Sequence, residues 1–462
     1  MSGGDQAQPP VFLQARGTDE FTPPPLDEAQ RRVMRKTLAR GPEDAARAGA
    51  ALGDYWSGRM GTAAGLRALN EEAGQAFYEV PPEATLDQAA ADEAFSGTDV
   101  VIDVHTHFMA DRPGNQGHAR RQIESYKWMA PDWWRGLDGI AFYTFADYLR
   151  CLFVESETAV AVLTSPPADG YGVPFLTNEE LAATRELIDR LAGSGRLLNH
   201  LVVHPIDPLS LDMLGQWRDQ FRPAAWKVYT TGRMADPASA NPWVPGTDWM
   251  LDDEETGLPF IELSRKLGIN RICAHKGLSV AVDCGSPRDI GPVARMFPDM
   301  AFGVYHSGYE GDIPEGAFSE ETAEQGANRL VATLLENNIA PGANVYADLG
   351  TTWFSVIKKP LEAAHLLGKL LKYVGEDSVV WGTDAMWYGP TQPAIDAFRA
   401  FQIPDELCAQ HGYPKLTPEI RAKVLGRNAA RFYGIDLDAT RKAVMNDDLA
   451  WTRQALREGM GA

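Results

Sequence analysis

The sequence predicts an α/β protein whose main body is a (β/α)8 TIM barrel with an N-terminal helical extension and insertions. Eight short apolar runs follow one another from residue 99 onwards, and most are separated by a stretch long enough for a helix. The runs are continuously apolar rather than alternating, as in strands that are buried on both faces of a parallel sheet. No GxGxxG or GxxxxGKS/T loop follows any run, which disfavours the nucleotide-binding forms of an open doubly wound sheet.

The predicted strands are short and rich in β-branched and aromatic residues. In chain order they are DVVIDVH (99–105), TAVAVLT (158–164), HLVVHP (200–205), AAWKVYT (224–230), NRICAH (270–275), MAFGVYH (300–306), NVYADLG (344–350) and SVVWGTD (378–384). Among the intervening segments, residues 178–192 most clearly predict a helix, because their apolar side chains recur at helical spacing. After the last run, Thr417 and Pro418 supply a cap and a first-turn proline for a helix that we expect to close the barrel.

The chain is predicted to divide into three segments. Residues 1–98 form an extended arm, with five prolines among the first 25 residues, and then a helical preface. Within the preface, residues 26–38 and 45–70 carry apolar residues at helical spacing, and we expect them to pack on the main body or on a neighbouring subunit. Residues 99–435 form the barrel, and residues 436–462 form a helical tail.

Two long insertions are expected to emerge from the C-terminal face of the barrel, where the active sites of this fold form. Residues 108–157 are rich in aromatic residues, and residues 231–269 contain further tryptophans and an acidic run. These insertions either pack between helices or subunits, or form a hydrophobic lid that keeps water away from the chemistry. The aromatic residues of the first insertion include Trp128, Trp133, Trp134, Phe142, Tyr143 and Phe145.

Composition and charge narrow the possible partners. The 462 residues are 44% hydrophobic and 23% charged, as in an ordinary globular enzyme. The formal net charge of −20 disfavours nucleic acid and anionic membranes, which attract clustered Lys and Arg. The four cysteines form no CxxC pair, no apolar stretch is long enough to span a bilayer, and the polar start is unlike a signal peptide. We therefore expect a cytoplasmic enzyme that acts on a small molecule.

Five of the eight predicted strands place a His, Lys or Asp at or near the C-terminal end, and these ends converge on one axis in a barrel. Histidines two residues apart on a strand point the same way, so His105 and His107 can reach one metal ion. A carboxylate such as Asp384 completes a metal site. The residues at these strand ends are His105, His107, Lys227, His275, His306 and Asp384.

Each of these residues also has a simpler explanation when it is taken alone. An HxH pair on a strand is more often not a metal site, and a strand-end aspartate is often a turn former. Asp103 could orient an imidazole or serve as a polar group inside the barrel, and His204 ends the third run. The combination, in an order that one fold brings together, nevertheless favours a metal site.

The ordered set HTH, WKVY, HKG, YHSG and WGTD resembles the metal-dependent amidohydrolase superfamily. The WGTDAMWYG segment and the closing helix are similar to the branch that contains aminocarboxymuconate-semialdehyde decarboxylase and related hydrolases and hydratases. The resemblance covers residues 98–435 and implies a distorted (β/α)8 barrel with one or two divalent ions per chain, either zinc or iron and manganese.

The resemblance also implies roles for the strand-end residues. In a single-metal pattern, His306 would be an acid–base or polarising residue, and the ligands would be His105, His107, His275 and Asp384. In a two-metal pattern, His275 and His306 would hold the second ion, and Lys227 could bridge both ions as a carbamate. An unmodified ammonium would repel a dication, so Lys227 is carbamylated, deprotonated, pointed elsewhere, or held in a salt bridge inside the barrel.

Hydrolysis of a small organic substrate by a metal-activated water is the leading functional prediction, with Asp384 and His306 moving protons. Non-oxidative decarboxylation at the same site is an alternative, and it would need a cationic clamp for the substrate carboxylate, such as Arg233 or Lys276. Neither a GxSxG elbow nor an HExxH motif supports serine-hydrolase or zincin chemistry.

Two further alternatives concern the function of the chain and the partner chain with which it would work. The resemblance extends to 2-aminoisobutyrate hydroxylase, which implies a dinuclear iron or manganese–iron oxygenase subunit that works with a related partner chain. A degenerate barrel that serves as a scaffold is the non-enzymatic alternative, and the complete ligand set argues against it. We expect either a homo-oligomer or a hetero-oligomer with a related subunit.

Overall fold

Eight parallel strands in sequential order form the centre of the molecule. The computed structural model describes residues 9–18, 21–126, 143–166, 175–233, 244–279 and 282–460. Each strand overlaps one of the eight predicted runs. The strands are β1 (Val101–Thr106), β2 (Thr158–Leu163), β3 (Leu197–Val202), β4 (Ala225–Tyr229), β5 (Arg271–His275), β6 (Ala301–Tyr305), β7 (Val345–Asp348) and β8 (Val379–Val380).

The sheet curls until its first strand meets the end of its last strand. The Val104 N–H donates to the Trp381 carbonyl at 3.0 Å, and Thr106 forms a parallel bridge with Ala385. The predicted (β/α)8 barrel is therefore confirmed. The distortion lies in β8, which is only two residues long because the chain after Val380 leaves the ladder to form the loop that carries Asp384.

Helices surround the barrel and form the N-terminal preface and the C-terminal tail. In the residues that the structure describes, they are α1 (Glu28–Arg47), α2 (Leu52–Ser57), α3 (Arg59–Ala73), α4 (Gln88–Ala94), α5 (Pro113–Tyr126), α6 (Phe145–Leu149), α7 (Asn178–Ala192), α8 (Pro208–Phe221), α9 (Gly257–Lys266), α10 (Ile290–Met296), α11 (Asn328–Glu336), α12 (Thr352–Ile357), α13 (Pro360–Lys369), α14 (Gln392–Ala400), α15 (Asp405–His411), α16 (Pro418–Ala422), α17 (Asn428–Tyr433), α18 (Leu437–Val444) and α19 (Asp448–Met460). Three of them, α6, α13 and α16, continue into π-helical turns. Across the described ranges, none of the helices is long and apolar enough to cross a membrane.

Local sequence signals explain two of the predicted helices. The α7 helix begins at a capping box in which Thr177 and Glu180 exchange hydrogen bonds, and it ends at Gly193 with a φ of 74°. The α16 helix begins with Pro418 after the cap residue Thr417, as expected for the closing helix.

The preface differs in detail from its predicted pattern. A break was expected after residue 38, but α1 continues through Pro42 to Arg47. The packing of α1 against α2 explains this continuity, because a Cβ atom at Gly41 would lie 1.9 Å from the Trp56 ring. The second predicted stretch is instead divided at Gly58, which ends α2 and precedes α3.

The preface packs on the main body of its own chain, which is one of the two arrangements expected. Arg59 of α3 forms ion pairs with Glu157, just before β2, and with Asp396 of α14. Tyr78 forms an antiparallel bridge with Phe401. Arg59 and Asp396 are largely or fully buried, so these contacts attach the preface firmly to one side of the barrel.

The tail is attached through a buried ion pair at the N-terminal end of β3. Arg196 and Asp447 contact each other in a bidentate arrangement, with Nε–Oδ2 and Nη2–Oδ1 distances of 2.5 and 2.8 Å. The same guanidinium donates to the carbonyl oxygens of Ala159 in β2 and Val444 in α18. Arg196 therefore joins two strands of the barrel to the tail helices.

Candidate metal centre

The candidate site lies at the C-terminal ends of the barrel strands. His105 is the penultimate residue of β1 and His107 follows the strand, and their ring centroids lie 4.9 Å apart, as the period-two geometry requires. His306 follows β6, and its ring centroid lies 4.9 Å from that of His105. All three side chains are buried, so three predicted histidines form one enclosed cluster.

Asp384 reaches this cluster from the loop after β8. Its Oδ1 lies 3.4 Å from Nε2 of His105 and 3.1 Å from Nε2 of His107. Its backbone N–H donates to the His105 carbonyl at 2.8 Å. Asp384 has a φ of 58°, and His306 has a φ of 65°. Such left-handed conformations are strained for residues other than glycine, and they concentrate at functional sites.

Hydrogen bonds at the far side of each ring determine which nitrogen carries the proton. Nδ1 of His107 donates to the Thr164 carbonyl, and Nδ1 of His306 donates to the Gly350 carbonyl, both at 2.9 Å. A carbonyl oxygen can only accept, so both rings carry their proton on Nδ1 when they are neutral. Nδ1 of His105 faces the Asp348 carboxylate at 2.8 Å, which selects the same tautomer. Nε2 of His105 and of His107 therefore presents a lone pair, the form in which imidazole binds a cation.

The arrangement around Asp384 fits a divalent cation. The Nε2 lone pairs of His105 and His107 face a carboxylate oxygen, and three acceptors in contact repel one another unless a cation lies among them. The two distances agree with the separation of about 3.0–3.4 Å between ligand atoms that each lie about 2.1 Å from one ion. Two imidazoles and a carboxylate are ligands that zinc, manganese and iron accept. These three residues are one of two groups of potential ligands found among the described residues.

The ionisation of the site agrees with this fit. Burial lowers the pKa of His105 well below its ordinary value, so this imidazole is neutral. His105 is therefore in the form that binds metal, a neutral imidazole.

The second group of potential ligands consists of His105, His306 and Asp348. Asp348 is the last residue of β7, and the sequence analysis did not single it out. Its Oδ2 accepts from Nδ1 of His105 and from the His306 backbone N–H. Burial raises the pKa of Asp348 to about 6, so it remains mostly ionised at neutral pH. An acidic residue at the end of a buried apolar run was the signal that could have identified it.

We expect the substitution Asp348→Asn to weaken binding of a divalent ion. The amide loses the charge that fixes the His105 tautomer, and loss of such a supporting partner costs about 10- to 100-fold in metal affinity. Competition with a chromophoric chelator measures this change. The control is Asp396→Asn, which alters a buried carboxylate on α14 that pairs with Arg59 instead. Equal affinities in the wild type and Asp348→Asn would contradict a supporting role for Asp348.

Asp103 does not orient an imidazole. It accepts hydrogen bonds from the backbone N–H groups of His105 and Thr383 and from the Thr383 hydroxyl. Burial raises its pKa to about 7. Its contacts join β1 to the loop after β8, so it corresponds to the polar group inside the barrel that was the alternative expectation.

His275 and Lys227 lie beside the cluster. The His275 ring centroid is 4.7 Å from that of His306 and 5.2 Å from that of Tyr229. Nζ of Lys227 lies 3.6 Å from the centroid of the Tyr305 ring, which itself contacts His105 at 4.1 Å. All six predicted strand-end residues are therefore gathered at one end of the barrel, with His275 and Lys227 outside the two tight groups of potential ligands.

Neighbouring side chains also hold Asp384 in place, and the sequence analysis missed them. The Thr351 hydroxyl donates to Oδ2, and the Trp387 indole N–H donates to Oδ1 at 3.2 Å. The Tyr388 hydroxyl lies 2.8 Å from the Thr351 hydroxyl. Thr351 also has a positive φ, of 55°. Residues that follow a strand by several positions in an irregular loop leave no periodic signal in the sequence.

Aromatic rings enclose the site on the His107 side. The Trp387 ring centroid lies 6.3 Å from that of His107, 5.1 Å from that of Tyr143 and 6.1 Å from that of Phe175. Tyr143 belongs to the first predicted insertion, so this insertion contributes to an apolar wall beside the site. Four other aromatic residues of that insertion, Trp128, Trp133, Trp134 and Phe142, lie outside the described residues.

The two candidates for a cationic clamp differ in their surroundings. Lys276 is fully buried, and its ammonium is already paired with Asp289 at 2.7 Å and with the Cys284 carbonyl at 2.8 Å. Arg233 is exposed after β4.

His204 is half-buried and lies outside both groups of potential ligands, and its pKa is lowered to about 4 by burial and by Arg233.

Comparisons with known proteins identify the family. Solved structures similar to this chain include 5-carboxyvanillate decarboxylase from Sphingomonas paucimobilis, with 15% identity over 73% of this chain and 100% of that chain and a TM-score of 0.45. They also include 2,6-dihydroxybenzoate decarboxylase from Rhizobium, with 13% identity over 73% of this chain and 100% of that chain and a TM-score of 0.41. No curated protein matches the chain. The family model described as amidohydrolase matches residues 102–435, which is more than half of the chain. The chain therefore belongs to the amidohydrolase family of barrel enzymes.

Proposed function

We propose that this enzyme is a metal-dependent hydrolase that acts on a small organic substrate. The observation that carries the proposal is the convergence of two imidazole lone pairs on the Asp384 carboxylate, at 3.1 and 3.4 Å. His105, His107 and Asp384 would hold the ion, with His275 and His306 completing one or two metal sites. When bound, a divalent ion would lower the pKa of a water ligand and polarise the substrate.

Asp384 would accept the proton of the attacking water and later deliver it to the leaving group. Its Oδ1 faces the imidazoles, while its Oδ2 accepts from Thr351. The hydrogen bonds from Thr351 and Trp387 orient the carboxylate, so its direction does not depend on the substrate. A carboxylate already aimed at the reaction centre needs little reorganisation during proton transfer.

His306 would act as a proton shuttle. Its Nδ1–H is committed to the Gly350 carbonyl, so Nε2 of the neutral ring accepts a proton before it can donate one. Burial lowers the pKa of this imidazole, which keeps it neutral at rest. Direct stabilisation of an oxyanion by Nε2 would instead require the protonated ring.

Non-oxidative decarboxylation is the second candidate, and the aromatic wall favours it. Trp387, Tyr143 and Phe175 surround the His107 side of the site. Apolar surroundings raise the energy of a substrate carboxylate relative to neutral carbon dioxide, which favours loss of the carboxyl group. With Lys276 committed to Asp289, Arg233 remains the candidate for binding that carboxylate.

Metal analysis of the purified full-length chain, together with a panel of small esters, amides, lactones and aromatic acids, tests these proposals. About one or two zinc or manganese ions per chain with hydrolysis products would support the hydrolase, and release of carbon dioxide would support the decarboxylase. Iron with substrate-dependent oxygen consumption would support the oxygenase alternative instead. A chain without metal after purification in the absence of chelators would contradict all three.

A further inference from the structure

The N-terminal arm, residues 9–18, packs against the loop that carries Asp384, which we define as residues 381–391. Val11 and Phe12 of the arm line a small cavity together with Gly382, Thr383, Ala385 and other residues of this loop. The Phe12 side chain is fully buried. The arm therefore covers the outer side of the same loop that presents Asp384 to the candidate metal centre.

Arg16 makes a polar contact between the arm and the loop. Its Nη1 donates to the Tyr388 carbonyl at 2.8 Å, while Nε and Nη2 donate to Oε1 of Gln14 at 3.2 and 3.0 Å. A Cβ atom at Gly389, whose φ is 83°, would lie 3.2 Å from Nη1. The guanidinium is buried, so losing the carbonyl acceptor would leave a desolvated charged donor.

Tyr388 connects this contact to the site. The Thr351 hydroxyl has a single hydrogen, which it gives to Oδ2 of Asp384. Thr351 therefore accepts from the Tyr388 hydroxyl at 2.8 Å. The Tyr388 ring stacks on Phe354 of α12, with centroids 3.8 Å apart and an interplanar angle of 17°. Tyr388 is thus held by the arm at its carbonyl and by α12 at its ring.

We propose that the arm is a positioning element of the candidate metal centre. Arg16 fixes the backbone at Tyr388, and the Tyr388 and Thr351 hydroxyls transmit that position to the Asp384 carboxylate. This inference rests on the proposed function, because it assigns Asp384 to metal binding and proton transfer. The arm precedes residue 102, where the match to the amidohydrolase family begins, so this support is additional to the family barrel.

Arg16→Ala in the full-length chain tests the proposal. Its matched control is Arg67→Ala, because Arg67 of α3 also donates to a backbone carbonyl at 2.8 Å, that of Val80, without contacting the loop. Hydrogen exchange of the metal-free proteins measures directly how readily the backbone amides of the loop open to solvent. Manganese(II) affinity, and the visible spectrum of the cobalt(II)-substituted proteins, measure the coordination geometry independently of activity.

We expect Arg16→Ala to accelerate exchange within residues 381–391 and to weaken manganese(II) binding, up to the about 10- to 100-fold that loss of a supporting partner costs. The cobalt(II) spectrum should shift in the same variant. Arg67→Ala should leave all three readouts unchanged. Thr351→Val should weaken binding of manganese(II) as well. Thr351→Ser keeps the hydroxyl and should bind manganese(II) as the wild type does.

The outcomes separate this inference from the proposed function. A wild-type chain that fails to bind manganese(II), zinc or iron would contradict the proposed function. Hydrogen exchange within the loop would still test the role of the arm in that case. Unchanged loop exchange in Arg16→Ala would overturn the inference. Faster hydrogen exchange with unchanged metal affinity and an unchanged cobalt(II) spectrum would also overturn it, because the arm would then pack on the loop without affecting metal coordination.

Discussion

The substitution Asp384→Asn is expected to lower kcat by about 10²- to 10⁴-fold, the contribution of a positioned acid–base group. The amide has nearly the same shape, but it cannot accept the proton of the attacking water. It also removes the negative charge that faces the imidazoles of His105 and His107. Steady-state kinetics on the substrate identified by the panel measures the loss, with metal content determined on the same samples.

The control for this experiment is again Asp396→Asn, since Asp396 is a fully buried carboxylate outside the candidate site. Its substitution should affect the stability of the preface contacts and leave kcat unchanged. Should Asp384→Asn retain wild-type turnover with a full complement of metal, the proton-transfer role assigned to Asp384 is wrong.

The substitution His107→Ala is expected to remove a metal ligand. Its effect on affinity should exceed the about 10- to 100-fold cost of losing a supporting partner, because the bond to the ion itself is lost. The Asp384 carboxylate, which lies 3.1 Å from Nε2 of His107, would also lose its neighbour. Metal content after dialysis, measured by mass spectrometry of the elements, should fall well below that of the wild type.

A buried barrel histidine outside the site provides the control. His200 of β3 contacts the Tyr433 hydroxyl at 2.9 Å and belongs to neither group of potential ligands. We expect His200→Gln to retain the wild-type metal content per folded chain. Equal metal retention in His107→Ala and in the wild type would remove His107 from the proposed ligand set.

The fold could be predicted because its strands are buried on both faces. Each strand of the barrel lies between the core and a layer of helices, so its sequence is a largely apolar run, and five of the eight predicted runs place a His, Lys or Asp at or near the C-terminal end. The boundaries of individual strands and helices were less predictable. β8 retains only Val379 and Val380 because the following residues form the loop of Asp384, and α1 passes through Pro42 because tertiary packing holds it.

The residues of the candidate site that lie at or just after the ends of strands could be predicted from the sequence. The structure gathers His105, His107, His306 and Asp384 from four positions along the chain. Contacts between distant loops could not be predicted in this way. The bond between Arg16 and the Tyr388 carbonyl joins residues 372 positions apart, and only the folded backbone brings them together.

The hydrogen bonds behind the imidazoles have a consequence for protein engineering. The acceptor for His107 is a main-chain carbonyl at Thr164, so side-chain replacement at that position preserves the tautomer. The acceptor for His306 is also a main-chain carbonyl, but Gly350 cannot be enlarged, because an added Cβ would lie 2.4 Å from Nδ1 of His105. Only His105 relies on a replaceable side chain, that of Asp348. Position 348 is therefore the place at which a side-chain change would adjust the electron donation of the His105 imidazole, and the same change would alter the bond from the His306 backbone N–H.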